Sequence, residues 1–309
     1  MTAKDGRRII FATDFSKPAE RAYVYAVKLA KTLHAQAVIV NVLQGPPGLD
    51  REFPVNTLFL KQLQEESDRE MVNVVKLAER DALAHETRQV YGVPADCIDK
   101  VAKETAAALI VVGTHGHRGW NRLLLGSTAE AVVREAPCPV LTVRMPAEEK
   151  FTARPPSVSI DRLLVPIDFS VCAQEALEYA ATLAKQLGVK VRLVHAMEEA
   201  AYPLDFALFG VSEEAALRGR IEAKLQELVS ALRADGIAAD CVQEAGTPFD
   251  VIMRQAKDHC ASGVIVMGTH GRRGLNRLAL GSVAEYVVRH AACPVFTVKS
   301  PRYRYGEDV

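Results

Sequence analysis

No Cys-x-x-Cys pair occurs among the six cysteines, which stand apart at Cys97, Cys138, Cys172, Cys241, Cys260 and Cys293. That scatter speaks against a zinc ribbon, a thioredoxin-type redox pair and a disulfide framework, and leaves buried reduced thiols as the expectation. Neither sign of charge is in excess: Lys+Arg and Asp+Glu both number 38, for a formal net charge of zero. Nucleic-acid binders show a basic surplus or stripe, and no Lys/Arg run here reads as one. Long hydrophobic runs are missing too. Ala106–Val112 falls far short of the roughly 20 apolar residues that span a bilayer. The polar stretch Met1–Arg8 lacks the apolar heart of a signal peptide, so a cytoplasmic protein with no membrane contact is expected.

Two phosphate-binding signatures are also absent. No Gly-x-x-x-x-Gly-Lys-[Ser/Thr] loop and no Gly-x-Gly-x-x-Gly fingerprint can be found. Without a P-loop lysine, and with no evident Mg²⁺ carboxylate pair beyond Asp14, nothing resembles the apparatus for fast hydrolysis of a nucleoside triphosphate. No catalytic residue is assigned. Metal binding is not expected either, because His195, His259 and Cys260 are not spaced like a recognised site.

What is present is a repeat. Val111–Arg144 and Val266–Lys299 match at 24 of 34 positions without a gap, 155 residues apart. Near the front, Ile10-Phe11-Ala12-Thr13-Asp14-Phe15-Ser16 parallels Leu164-Val165-Pro166-Ile167-Asp168-Phe169-Ser170, 154 residues apart. That period is too long for a solenoid unit and suits a whole domain, duplicated. Met145–Ser159 is rich in Pro, charge and small residues, as linkers are. Residues 1–150 and 160–309 are therefore read as two domains joined near residue 155.

Within each copy, apolar runs alternate with helical periodicity. In the first, strands are expected at Arg8–Ala12, Ala37–Val42, Thr87–Tyr91, Ala108–Val112 and Val140–Val143. The helix after strand one starts at Ser16, which can cap it. The helix after strand two is long, from about Asn56 to Glu86. Alternating strands and helices predict a doubly wound α/β domain, twice: five parallel strands in order 3-2-1-4-5, helices on both faces, Rossmann-like.

Ligands of such sheets bind beyond the carboxyl ends of the strands, where the strand order reverses. There the first copy carries Gly113, Gly116, Gly126 and Ser127, a Gly-x2-Gly-x9-Gly-Ser pattern; the second repeats it as Gly268, Gly271, Gly281 and Ser282. Glycine lets a backbone approach a phosphate, and the helix that follows aims free N–H groups at the loop. Gly113→Val or Gly126→Val is thus expected to abolish binding by filling the phosphate space.

The pattern resembles the nucleotide-binding signature of the universal stress protein family. The likeness covers nearly the whole chain, including the Asp after strand one, the glycine loop and the closing Cys-Pro-Val-x-Thr-Val strand. It implies that Asp14 and Val42 hold the adenosine part of ATP, with Asp168 and Ala196 at the same spacing in the second copy. The glycines and the final Ser would embrace ribose and phosphates, with ATP, ADP or AMP as occupant and Mg²⁺ as a possible companion. It implies a regulatory or protective stress-response protein rather than a fast catalyst, with domains pairing within the chain and a homodimer.

Each assignment has a plainer alternative. Asp14 and Asp168 could cap a helix or end a strand. Ser127-Thr-Ala-Glu130 and Ser282-Val-Ala-Glu285 read as capping boxes, which exist with or without a ligand. Arg118, Arg122, Arg273 and Arg277 either neutralise phosphate or are solvated. His115 and His270 read as exposed loop residues, and Trp120 as a cover for a hydrophobic patch. Glu198–Val211 of the second copy, with Tyr202, Phe206 and Phe209, forms either a lid or a helix packed on its neighbour.

Overall fold

The structure, a computed structural model, describes residues 6–45, 54–114, 125–145, 158–198, 207–257, 262–271 and 280–299. The chain separates into two compact units, one ending at Val158 and the next beginning at Ser159.

The first unit runs β1 (Arg8–Thr13), α1 (Lys17–Thr32), β2 (Gln36–Leu43), α2 (Pro54–Arg80), β3 (His85–Tyr91), α3 (Pro94–Glu104), β4 (Leu109–Gly113), α4 (Ser127–Glu135) and β5 (Val140–Val143). Its strands are all parallel, in the order β3-β2-β1-β4-β5. Right-handed crossovers from β1 out to β3 put α1 and α2 on one face, and the return to β4 and β5 puts α3 and α4, which pack together, on the other. Central strands are covered on both faces, which is why β1 and β4 read as unbroken apolar runs: Ile9, Ile10, Phe11, Leu109, Ile110 and Val111 are all buried. Each such side chain contributes roughly 1.5–3 kcal/mol by leaving water. Edge strand β3, His-Glu-Thr-Arg-Gln-Val-Tyr, is only partly covered.

The second unit repeats the order: β6 (Arg162–Pro166), α5 (Val171–Leu187), β7 (Lys190–Met197), α6 (Ala207–Ala234), β8 (Ala239–Ala245), α7 (Pro248–Lys257), β9 (Gly263–Gly268), α8 (Ser282–His290) and β10 (Val295–Val298). Its parallel strands lie in the order β8-β7-β6-β9-β10. The doubly wound α/β architecture expected from the sequence is the one observed in both halves.

Local differences from the sequence reading have physical causes. The long helix stops at Arg80 rather than Glu86, because Ala82 turns left-handed (φ 48°) and β3 begins at His85, earlier than Thr87. In the second unit the segment read as an aromatic loop enters α6 at Ala207; residues 199–206 lie outside the described residues. Among the described residues no helix is long and apolar enough to cross a membrane.

Candidate functional site

The chain turns sharply after β1. Phe15 adopts a left-handed backbone (φ 61°), which brings the Asp14 carboxylate back to accept from the Ser16 amide at 3.1 Å. Ser16 then caps α1, its hydroxyl 3.4 Å from the Ala19 amide. The second unit repeats the turn, with Phe169 at φ 62°, the Ser170 amide 2.9 Å from Asp168 Oδ1, and Ser170 capping α5. A positive φ at a phenylalanine is uncommon, and finding it in both copies marks a turn maintained by its surroundings. Asp14 thus performs the turn-forming role, and it also lines the cavity described next.

A cavity of about 710 Å³ opens in the first unit at the carboxyl ends of β1, β2 and β4. Its walls bring together Asp14, Val42, Gly113, Gly126 and Ser127, five of the positions singled out from the sequence. The loop after β4 is pinched at its base: Thr114 donates to the Val143 carbonyl at 3.0 Å, and Gly126 donates to the Thr114 carbonyl at 2.7 Å. Gly116, Arg118, His115, Trp120 and Arg122 lie outside the described residues.

Ser127 and Ser282 were read as N-caps of capping boxes, but the N-caps are Gly126 and Gly281, with no side-chain cap bond in either helix. Ser127 is the first helical residue, exposed at the cavity. The capping explanation for its hydroxyl therefore falls away. Gly113 was expected to make room for phosphate. Gly113 lines the cavity, and a Cβ there would stand 2.9 Å from the Pro18 carbonyl carbon and 3.1 Å from the Ala19 nitrogen, both backbone of α1. At Gly268 it would meet the Cys172 carbonyl oxygen at 2.7 Å. These glycines let a helix lie close on the sheet. Gly271 faces the site more directly, since a Cβ there would fall 2.8 Å from Asp168 Oδ2.

Sequence reasoning passed over the polar chain beneath the cavity. Asn41 Nδ2 donates to the Thr13 carbonyl at 2.8 Å, Ser67 Oγ donates to Asn41 Oδ1 at 2.8 Å, and Gln89 Nε2 donates to Ser67 Oγ at 2.7 Å. It ties β1, β2, α2 and β3 together at their site-facing ends. The signal was there in Ala-Val-Ile-Val-Asn-Val-Leu, where a single amide interrupts an apolar strand. In the second unit His195 stands at that register and donates from Nδ1 to the Ile167 carbonyl at 2.6 Å. The ring lies 5.2 Å from that of Phe169. His195 is therefore a strand-tying residue; His259 and Cys260 lie outside the described residues. His270, expected to be exposed, is buried, with Thr269 Oγ1 at 3.0 Å from Nδ1. Ala196, Gly281 and Ser282 sit where the strand register and helix start place them, at the carboxyl ends of β7 and β9. Arg273 and Arg277 lie outside the described residues.

Comparison with known proteins agrees with this fold. The model of the universal stress protein family matches twice, over residues 6–144 and 159–299. A universal stress protein of Methanocaldococcus jannaschii is 37% identical over 145 residues, covering 46% of this chain and 85% of its own. One from Mycobacterium tuberculosis is 29% identical over 246 residues, covering 76% of this chain and 78% of its own. Among solved structures, a universal stress protein from Archaeoglobus fulgidus shares the fold at a TM-score of 0.70 and 22% identity, covering 96% of this chain and 99% of that one.

Proposed function

The chain belongs to the universal stress protein family, and on that premise we propose that each unit holds an adenine nucleotide at the carboxyl end of its sheet and uses it as a ligand. The observation that carries the reading is the convergence of Asp14, Val42, Gly126 and Ser127 on one cavity at the strand-order switch. At about 710 Å³ it has the size of a cofactor site, which typically measures roughly 300–1,000 Å³.

The parts suit the ligand. Val42 offers backbone and shape to a base, and Asp14 can accept from an adenine amine or a ribose hydroxyl. The amides at the start of α4, which no capping side chain occupies, suit a phosphate together with the Ser127 hydroxyl. Any Mg²⁺ would come in on the phosphates: among the described residues no group of three or more His, Cys, Asp or Glu is arranged to hold a metal. Bound nucleotide then biases conformation or partner choice, by as much as its affinity differs between two states. Slow hydrolysis is compatible with this role.

The first experiment is to denature freshly purified protein, separate the supernatant by anion exchange and quantify adenine nucleotide per chain. One nucleotide per unit is expected, or saturation to that level on adding Mg-ATP. Empty protein that binds neither ATP nor AMP would defeat the proposal.

A further inference from the structure

A smaller cavity adjoins the first unit's candidate site. It measures about 390 Å³ and lies between the starts of α3 and α4, two helices that pack together. Gln44, Pro94, Ser127 and Thr128 line both cavities, so the smaller one continues from the larger at the start of α4. The helices leave this gap because their side chains there are small: Ala95 on α3 and Ala131 on α4 both line it.

The second unit has large rings in the same place. Pro94 and Pro248 each open their helix, and Gly126 and Gly281 each cap theirs, which fixes the register between the two halves. Ala95 then corresponds to Phe249, and Ala131 to Tyr286. These two rings meet across α7 and α8, their centroids 4.9 Å apart. Tyr286 stacks in turn on His290 at 4.1 Å, where the first unit has Glu135. Aromatic pairs at such distances are in packing contact, so the rings occupy the gap that two alanines leave in the first unit.

We propose that the first unit accepts an adenine nucleotide whose terminal phosphate carries a second nucleoside, a dinucleoside polyphosphate, and that Phe249 and Tyr286 deny this extension to the second unit. The proposal rests on the nucleotide-binding reading above. Phosphate on that reading lies at the start of α4, and the smaller cavity leads on from there along α4 to Arg134. Its volume lies within the roughly 300–1,000 Å³ of small-molecule sites. Its wall suits a nucleoside better than an alkyl chain. Pro94, Ala95 and Ala131 offer apolar contact to a base, while Gln44, Thr128 and Glu130 bring hydrogen-bonding groups for the base edge and ribose hydroxyls.

The test is equilibrium titration of the nucleotide-free full chain with adenosine tetraphosphate and with diadenosine tetraphosphate, which share a phosphate chain and differ in the second nucleoside. Both should fill one site per unit, and the dinucleotide should bind one of the two about tenfold more tightly than the mononucleotide does. Ala131→Tyr, alone or with Ala95→Phe, should remove that advantage. Adenosine tetraphosphate should still bind these variants within about threefold of wild type, which also reports that they are folded. Phe249→Ala with Tyr286→Ala should confer the advantage on the second site; no gain there overturns the block assigned to that pair. A dinucleotide that binds wild-type protein no better than the mononucleotide, or an advantage that survives Ala131→Tyr, overturns the extension and leaves nucleotide binding standing. Failure of wild-type protein to bind either ligand overturns both.

Discussion

Nearly the same ribbon is built twice in this chain, and the two versions reach one geometry by different side-chain chemistry. The first unit fastens β1 to β2 with the Asn41 amide and extends the tie through Ser67 to Gln89 on β3. The second uses one His195 imidazole against the Ile167 carbonyl, with Ile221 where Ser67 would stand. The turn at Phe15 and Phe169, the caps at Ser16 and Ser170, and the pinched loop base at Thr114–Gly126 and Thr269–Gly281 are the same in both. Backbone placement at the sheet switch is thus shared, while the buried links differ. On the nucleotide-binding reading proposed above, the shared part is the one that would position a ligand.

The strongest way to break the comparison is at its common close contact. Gly113→Val and Gly268→Val should each disrupt their own unit, by about 3 kcal/mol or more, because the new Cβ meets helix backbone rather than a flexible side chain. Thermal unfolding followed by circular dichroism should show the loss with no nucleotide present. A folded variant of unchanged stability that had lost only nucleotide would restore the phosphate-facing reading of these glycines.

A smaller effect separates the two fastenings. Asn41→Leu removes the amide donor to the Thr13 carbonyl and the acceptor of the Ser67 hydroxyl proton and should cost about 2–3 kcal/mol. His195→Leu removes the donor to the Ile167 carbonyl and should cost about 1–2 kcal/mol. Urea midpoints for the two variants decide the order. Equal losses would mean that the Ser67–Gln89 extension adds nothing.

The subtlest comparison is between serines. Ser16→Ala removes a true N-cap and should cost about 1 kcal/mol. Ser127→Ala removes no cap and should leave stability within about 0.5 kcal/mol while weakening nucleotide binding. Paired melting curves and titrations check both. Equal destabilisation would reinstate the capping box.

Much of this molecule was legible before any coordinates. The duplication and the alternation of apolar runs with amphipathic helices are local patterns, and strand order follows from crossover handedness once the elements are known. The convergence of Asp14, Val42 and Gly126-Ser127 was legible for the same reason: a doubly wound sheet sends every βα turn to one edge.

Other features needed three dimensions. Ser127 looks like a cap because Ser-x-x-Glu is a cap's pattern, yet the helix starts one residue earlier when Gly126 bonds back to Thr114. Gly113 reads as a phosphate glycine because its loop resembles a phosphate loop, and only the tertiary structure shows that its bare Cα also faces Pro18, nearly a hundred residues away in sequence. The sequence by itself determined which segments are strand or helix and which edge of each sheet collects the loops, because hydrophobic period and chain handedness are local properties. Tertiary structure alone decided what each glycine, serine and buried amide touches, because contacts between elements depend on how closely a helix settles on a sheet.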